Sequence, residues 1–150
     1  NRLVQTGAYT YDQSGAVRSH GFEAELVGRL TSSLSLNANY TYTEADRELS
    51  GTPRHRAAVW AVQRFSIGEL GGFSAGAGVR LVDKYKDRSA PTTPGYGLVD
   101  LMLGWESPHW RVALNVRNAA DKQYFGTCEN WGICTYAARR SVVLTAAYRF

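Results

Sequence analysis

The stretch Leu34–Tyr42 reads LSLNANYTY and decides the fold class. Its even-numbered residues are Leu, Leu, Ala, Tyr and Tyr, whereas its odd-numbered residues are Ser, Asn, Asn and Thr. Successive side chains of a β-strand point to opposite faces, so this alternation predicts a strand with one apolar and one polar face. Segments 110–116 and 141–150 repeat the alternation and carry arginine among their polar positions.

Weaker alternation extends the prediction to most of the chain. Further strands are expected over 17–30, 73–85 and 97–106. Segment 56–65 is also predicted to be a strand, but two sets of apolar residues compete in it, so its faces are not assigned. Residues 3–11 form one more candidate strand. We therefore expect an all-β chain with about seven or eight strands.

The predicted connections alternate between short turns and long polar loops. In chain order they fall at 31–33, 44–54, 67–72, 86–95, 107–109 and 119–139. Antiparallel hairpins with short turns at one end and long loops at the other are typical of outer-membrane barrels.

The composition of the 150 residues narrows the class of protein to which the chain can belong. With 44% hydrophobic and 20% charged residues, the chain is too apolar for a disordered segment. No stretch approaches the roughly 18 consecutive apolar residues of a membrane-spanning helix. Lys and Arg exceed Asp and Glu by 17 to 13, but the arginines do not form one exposed stripe, so we expect no nucleic-acid partner. Neither a nucleophile elbow nor a phosphate loop occurs, and enzyme activity is not expected.

The polar faces are expected to line a barrel lumen. The apolar faces carry aromatic residues at both ends, as at the two interfaces of a membrane, whereas a soluble barrel or sandwich would use these faces as its core. Basic residues directed at mid-bilayer lipid would cost roughly 2–4 kcal/mol each. The residues that we therefore place toward the lumen are Glu23, Glu25, Arg80, Asp100, Arg111 and Arg117.

Several motifs together carry a family resemblance. They are VRSHGFEAE at 17–25, ANYTYT at 38–43, TPRH at 52–55, NVRNAADKQY at 115–124 and the terminal AYRF at 147–150. This set resembles the C-terminal third of the barrel of TonB-dependent outer-membrane receptors, most closely those for ferric hydroxamate siderophores such as ferrichrome. Departures from the family pattern fall at Ala119, Ala120, Ala137 and Arg139.

The resemblance implies a transmembrane antiparallel β-barrel of about 22 strands in a Gram-negative outer membrane. Residues 1–150 would be the C-terminal part of that barrel, with the plug domain and TonB box absent from this chain. It implies capture of a ferric siderophore and import energised by the TonB complex through the plug. Iron would enter as the siderophore complex, with no directly bound cofactor or metal. Outer-membrane lipid would surround the barrel, and the barrel assembly machinery would recognise Tyr148 and Phe150.

Candidate functional residues cluster in the predicted long loops. Cys128 and Cys134 are expected to form one short disulfide, because zinc needs four ligands and no histidine lies nearby; the resemblance implies the same loop. Trp131, Tyr136 and Tyr85 are candidate ligand contacts, since exposed aromatic rings stack on apolar ligand surfaces. Near Tyr85, basic side chains would attract an anionic chelate; they are Lys84, Lys86 and Arg88.

Three alternatives stay open. The polar-face charges either contact a plug or form a ladder along the wall. Tyr124 and Phe125 are expected to belong to the outer aromatic girdle instead of a ligand site. A self-contained eight-stranded barrel with a structural or adhesive role would require its first strand to pair with the segment ending at Phe150, whereas a receptor segment would leave both edges unpaired.

Overall fold

Eleven β-strands make up the regular structure of the described residues in the computed structural model. The structure describes residues 3–13, 18–45, 51–87, 89–129 and 131–150; Val17 and Arg88 lie outside these ranges. The strands are β1 (Leu3–Gln5), β2 (Tyr11–Gln13), β3 (Ser19–Arg29), β4 (Leu34–Ala45), β5 (His55–Ser66), β6 (Gly72–Val82), β7 (Tyr96–Glu106), β8 (Trp110–Arg117), β9 (Phe125–Cys128), β10 (Cys134–Tyr136) and β11 (Ser141–Tyr148). Within these ranges, no helix has the length and apolarity needed to cross a membrane.

Seven of these strands form one antiparallel sheet in the order β11-β8-β7-β6-β5-β4-β3. Each strand from β3 to β7 pairs with the next one along the chain, and β8 pairs with β11, so the sheet is a meander that β11 extends. Its longer members have 11 or 12 residues, as a tilted strand needs to cross the hydrocarbon layer. The predicted alternation of short turns and long loops is confirmed.

The ends of this sheet do not meet. Among the described residues, β3 pairs only with β4, and β11 pairs only with β8. The first strands do not close the sheet either, because β1 and β2 pair with each other. The eight-stranded barrel is therefore wrong for this chain.

The expectation of one strand over residues 3–11 is also wrong. The backbone reverses between β1 and β2, and the Thr6 amide donates to the Thr10 carbonyl at 3.0 Å. This turn brings Gln5 opposite Tyr11 in a small hairpin. Apolar residues on both sides of the turn mimic a single alternating segment in the sequence.

The strand register gives the sheet one continuous apolar face. A row of cross-strand neighbours runs from Leu26 through Ala38, Val59 and Val79 to Val99. The four larger side chains of this row stay exposed, by 48% at Val59 and 42% at Val79. In a soluble sheet this surface would be covered as a core, whereas a lipid-facing surface remains open to its surroundings. We call it the apolar face, and the opposite surface the polar face.

The register also resolves the faces of β5. Odd-numbered residues of β5, such as Val59, lie on the apolar face, and even-numbered residues, such as Arg56 and Trp60, lie on the polar face. The indole of Trp60 lies over Gly76 and Gly78 of β6, where a Cβ atom at Gly78 would collide with the ring.

Aromatic rings cluster at both ends of the apolar face. At the end with long loops, Phe22 lies 5.5 Å from Tyr40 between ring centroids, and Tyr40 bonds to the His55 ring nitrogen Nδ1 at 2.7 Å. At the end with short turns, Trp110 lies 5.0 Å from Tyr148. These two levels match the interfacial girdles of a membrane barrel.

Tyr124 does not join the outer girdle, so that expectation is wrong for this residue. The Tyr124 ring lies 4.3 Å from the ring of Tyr96, which shares the polar face with Asp100. Phe125 stacks on Tyr136 at 4.5 Å. The chain after β8 folds back over the polar face, which carries the Tyr124 ring away from the apolar face.

Candidate functional site

The loop between β8 and β11 begins with a buried asparagine. Asn118 is 2% exposed and has a positive φ of 51°, a conformation that asparagine tolerates better than most residues. Its side-chain amide donates to the Lys122 carbonyl, and its Oδ1 accepts from the Lys122 amide, both at 2.9 Å. The Asn118 amide donates to Asp100 Oδ1 at 2.8 Å. These bonds fix the direction in which the loop leaves the sheet.

Asp121 closes the base of the same loop. Its carboxylate accepts two hydrogen bonds from Arg139, at 2.9 and 2.6 Å, and one from the Arg140 amide at 3.0 Å. The Arg139 guanidinium, followed by the Arg140 amide, holds the pKa of Asp121 well below its usual range. Asp121 and Arg139, which lie 18 positions apart in the sequence, are thereby joined. Arg139, which departs from the family pattern, thus has a structural partner that the sequence analysis missed.

The predicted disulfide between Cys128 and Cys134 is confirmed. It crosslinks β9 and β10, which pair through Cys128 and Cys134 and through Thr127 and Thr135. We call residues 125–136 the disulfide hairpin. At its tip, the Glu129 amide donates to the Ile133 carbonyl at 2.8 Å.

The disulfide hairpin displays the two candidate aromatic contacts that it carries. Trp131 at the tip is 83% exposed, and Tyr136 is 65% exposed although one side of its ring stacks on Phe125. Ile133 beside them is 64% exposed. The tip therefore presents an apolar and aromatic surface to the outside.

Residues 83–95, which we call the outer loop, pack against this hairpin. Tyr85 and Thr93 form a β-bridge, with amide-to-carbonyl bonds of 3.1 and 2.8 Å. The Tyr85 hydroxyl donates to the Gly126 carbonyl. Thr93 Oγ1 accepts from the Cys128 amide at 3.1 Å. The structure therefore brings Tyr85 next to the disulfide hairpin, with its hydroxyl engaged by that hairpin.

The loop between β4 and β5 is tied to the same assembly. The Gly51 amide donates to the Lys86 carbonyl at 3.1 Å. Gly51 has a φ of +101°, a backbone conformation that residues other than glycine rarely adopt. A Cβ atom at this position would contact Asp87. Three successive long loops are thus linked laterally by hydrogen bonds.

The six charged residues predicted to face the lumen share the polar face. Glu23 and Glu25 lie opposite Thr41 and Asn39. Arg80 makes a two-pronged contact with Asp100, at 2.6 and 3.0 Å. These positions lie on strands that span the sheet, from β3 to β7.

The remaining two predicted lumen residues lie on β8. Arg111 pairs with Glu106 of β7 at 2.7 Å, and Arg117 lies opposite Ser141 of β11. Arg80, Asp100 and Arg111 are thus already in ion pairs on the polar face, as a cross-strand ladder of charges requires.

The predicted assembly residues lie at the end of β11. The Tyr148 ring contacts Trp110 at 5.0 Å and meets the ring of Phe150 edge-on at 5.2 Å. Phe150 is fully exposed. Over the ranges that the structure describes, no group of three or more His, Cys, Asp or Glu residues could hold a metal ion.

Comparison with known proteins places this arrangement in a family. The family model described as "TonB dependent receptor-like, beta-barrel" matches residues 1–119. The chain belongs to the TonB-dependent receptor family. Members of this family are outer-membrane β-barrels, and the chain is part of such a barrel.

Two curated relatives illustrate the similarity. The chain is 31% identical to the ferrioxamine B receptor of Salmonella typhimurium LT2, over 93% of this chain and 22% of that protein. It is also 31% identical to the ferrichrome outer membrane transporter/phage receptor of Escherichia coli K12, over 96% of this chain and 21% of that protein. The chain therefore spans about a fifth of the length of these relatives.

Solved structures of siderophore receptors have the same fold as this segment. The siderophore receptor PiuA of Acinetobacter baumannii superposes with a TM-score of 0.78 at 25% identity, over 97% of this chain and 24% of that one. The closed form of the ferric-catecholate import receptor Fiu of Escherichia coli K12 gives 0.79 at 26% identity, over 100% and 23%. The seven-stranded sheet thus corresponds to part of a larger closed barrel.

Proposed function

We propose that this chain is the C-terminal part of an outer-membrane receptor that binds a ferric siderophore outside the cell and imports it with energy from the TonB complex. The observation that carries the proposal is the exposed apolar face, which runs unbroken across seven paired strands below a cluster of linked long loops. Such a surface suits lipid, and the loops beyond it suit a ligand that arrives from outside.

The proposed ligand class is a hydroxamate-type ferric siderophore. The support comes from the two relatives at 31% identity, whose names are ferrioxamine B receptor and ferrichrome transporter. Iron would pass as cargo within the siderophore complex. Since these relatives are named as a receptor and a transporter, we propose a transport role without catalysis.

Trp131, Tyr136 and Tyr85 are the proposed ligand contacts of this segment. The first two expose their rings on the disulfide hairpin, where burial against a ligand removes apolar surface from water. Tyr85 would contribute its ring, because its hydroxyl already binds Gly126.

Glu23 and Glu25 are the proposed contacts to a plug domain outside this chain. Within the described residues neither is in an ion pair, so both carboxylates are available to arginine or backbone donors. By contrast, Arg80, Asp100 and Arg111 are engaged with partners on the wall. We propose that these three chiefly stabilise the wall and that Arg117 faces the plug.

Iron-limited growth tests the function. A strain lacking its own hydroxamate receptors would carry the full-length receptor and receive ferrichrome, ferrioxamine B or a ferric catecholate. We expect growth with at least one hydroxamate, and no growth with it when TonB is deleted. Growth that persists without TonB, or that occurs only with the catecholate, would contradict the proposed energy source or ligand class respectively.

A further inference from the structure

The disulfide hairpin is attached to the rest of the chain through side chains of the outer loop. β9 and β10 form a two-stranded sheet of their own, and in the described part of the chain neither strand pairs with the seven-stranded sheet. Two side chains of the outer loop bind β9 instead. The Tyr85 hydroxyl donates to the Gly126 carbonyl, and Thr93 Oγ1 accepts from the Cys128 amide at 3.1 Å.

The bond between Thr93 and Cys128 lies in a small buried cluster. Thr93 is 0% exposed, Ala90 is 0% exposed and Cys128 is 1% exposed. A buried amide that loses its acceptor also lacks water to replace it, and this loss is more costly than that of an exposed hydrogen bond. The hydroxyl of Thr93 is therefore the group that satisfies the Cys128 amide in this position.

The disulfide extends the effect of this bond to the other strand of the hairpin. Because Cys128 is covalently linked to Cys134, a displacement of β9 must carry β10 with it. Trp131 lies between these two cysteines, and Tyr136 follows Cys134 by two residues. The position of both aromatic residues thus depends on where Cys128 is held.

We propose that Thr93 is a positioning residue for the ligand-contacting loops: its buried hydroxyl fixes the disulfide hairpin against the outer loop, so that both loops meet a ferric siderophore as one preorganised surface. The proposal rests on the function proposed above. Preorganisation raises affinity because the loops lose less freedom on binding. Tyr85 supports the same contact through Gly126.

The test compares three threonine variants in the full-length receptor. Thr93→Val keeps the shape of the side chain and removes the acceptor, whereas Thr93→Ser keeps the hydroxyl. Thr127→Val removes a hydroxyl from an exposed position one residue before Cys128 and is the matched control. Tyr85→Phe provides a second variant that removes the other bond.

Two measurements are made on each variant. Hydrogen exchange of the peptide containing residues 125–136 reports the attachment of the hairpin, and titration with ferrichrome and ferrioxamine B gives Kd. In Thr93→Val we expect exchange to rise about tenfold or more and Kd to rise about fivefold, given the cost of a buried unpaired amide. Thr93→Ser and Thr127→Val should stay within about twofold of the wild type, and Tyr85→Phe should shift both measurements in the direction of Thr93→Val.

The outcomes separate the proposal from the function on which it rests. Unchanged exchange in Thr93→Val would overturn the attachment itself. Faster exchange with an unchanged Kd would overturn the positioning role and leave the proposed function intact. A wild-type receptor that binds neither siderophore would remove the proposed function, and the positioning role with it, while the exchange data would still report the hydrogen bond.

Discussion

A lysine placed on either face of β4 should reveal which side of the sheet meets lipid. Ala38 lies on the apolar face between Leu26 and Val59, whereas the next residue, Asn39, lies on the polar face between Glu25 and Ala58. Both positions have nearly the same depth, because they are adjacent on one strand. The pair Ala38→Lys and Asn39→Lys therefore differs chiefly in the face that receives the charge.

The expected energies follow from these surroundings. A lysine at the middle of the lipid face costs about 2–4 kcal/mol, so Ala38→Lys should lower the free energy of unfolding by that amount. At position 39 the new ammonium would lie opposite Glu25, and an opposite-charge cross-strand pair contributes roughly 0.2–1 kcal/mol. Asn39→Lys should therefore be neutral or slightly stabilising.

The assay is reversible denaturant unfolding of the full-length receptor in lipid vesicles. A third variant, Ala38→Leu, separates a lipid-facing surface from a packed protein core. Overpacking a core costs typically 1–3 kcal/mol, whereas lipid chains yield to the larger side chain. Equal losses for both lysine variants, or a loss above about 1 kcal/mol for Ala38→Leu, would refute the assignment of the faces.

Three further predictions concern the loop and the last strand. Asp121→Ala should release the base of the loop and speed its proteolysis. In the wild type, the stabilisation by the Asp121 carboxylate should be complete above its unfolded pKa of about 3.9 and be lost as pH falls through the lower folded pKa. Protection of the loop from proteolysis that persists after full protonation of Asp121 would contradict the role of its charge. The double variant Cys128→Ser and Cys134→Ser should destabilise the disulfide hairpin by about 2 kcal/mol. An external protease should then cleave near Trp131 while the barrel stays intact. Equal cleavage rates in the variant and the wild type would argue against this stabilisation. Deletion of Phe150 should reduce insertion by the barrel assembly machinery in a membrane-assembly assay, and unchanged insertion would count against its role as part of the assembly signal.

The strands were predictable because each one carries its own periodic signal. The alternation in β4 predicts its two faces without any knowledge of its neighbours, and the structure confirms it. β5 differs because apolar residues occupy both sets of positions. Trp60 lies on its polar face because Gly76 and Gly78 of the next strand leave room for the indole. The side of β5 on which Trp60 lies therefore depends on residues of β6, and the sequence of β5 alone does not determine it.

The disulfide of the candidate site was predictable from the sequence, but the contacts around it were not. The cysteine spacing and the exposed aromatic residues indicated the disulfide hairpin, whereas its attachment through Thr93 joins residues 35 positions apart. Tyr124 illustrates the same limit. Its direction depends on the turn that begins at Asn118, where φ is positive, and this turn sends the chain over the polar face. Such long-range contacts have no periodic signature in the sequence.

The edges of the sheet restrict the route by which this segment can reach its final place. Along β3 and β11, the backbone groups that point away from the described sheet have no strand beside them. In hydrocarbon each unsatisfied backbone group costs several kcal/mol, so an open edge cannot be left in contact with lipid tails. Further strands must therefore pair with both edges before or during entry into the bilayer. Lateral pairing and membrane insertion of this segment are consequently one coupled event, and a delay in either leaves an edge available for aggregation.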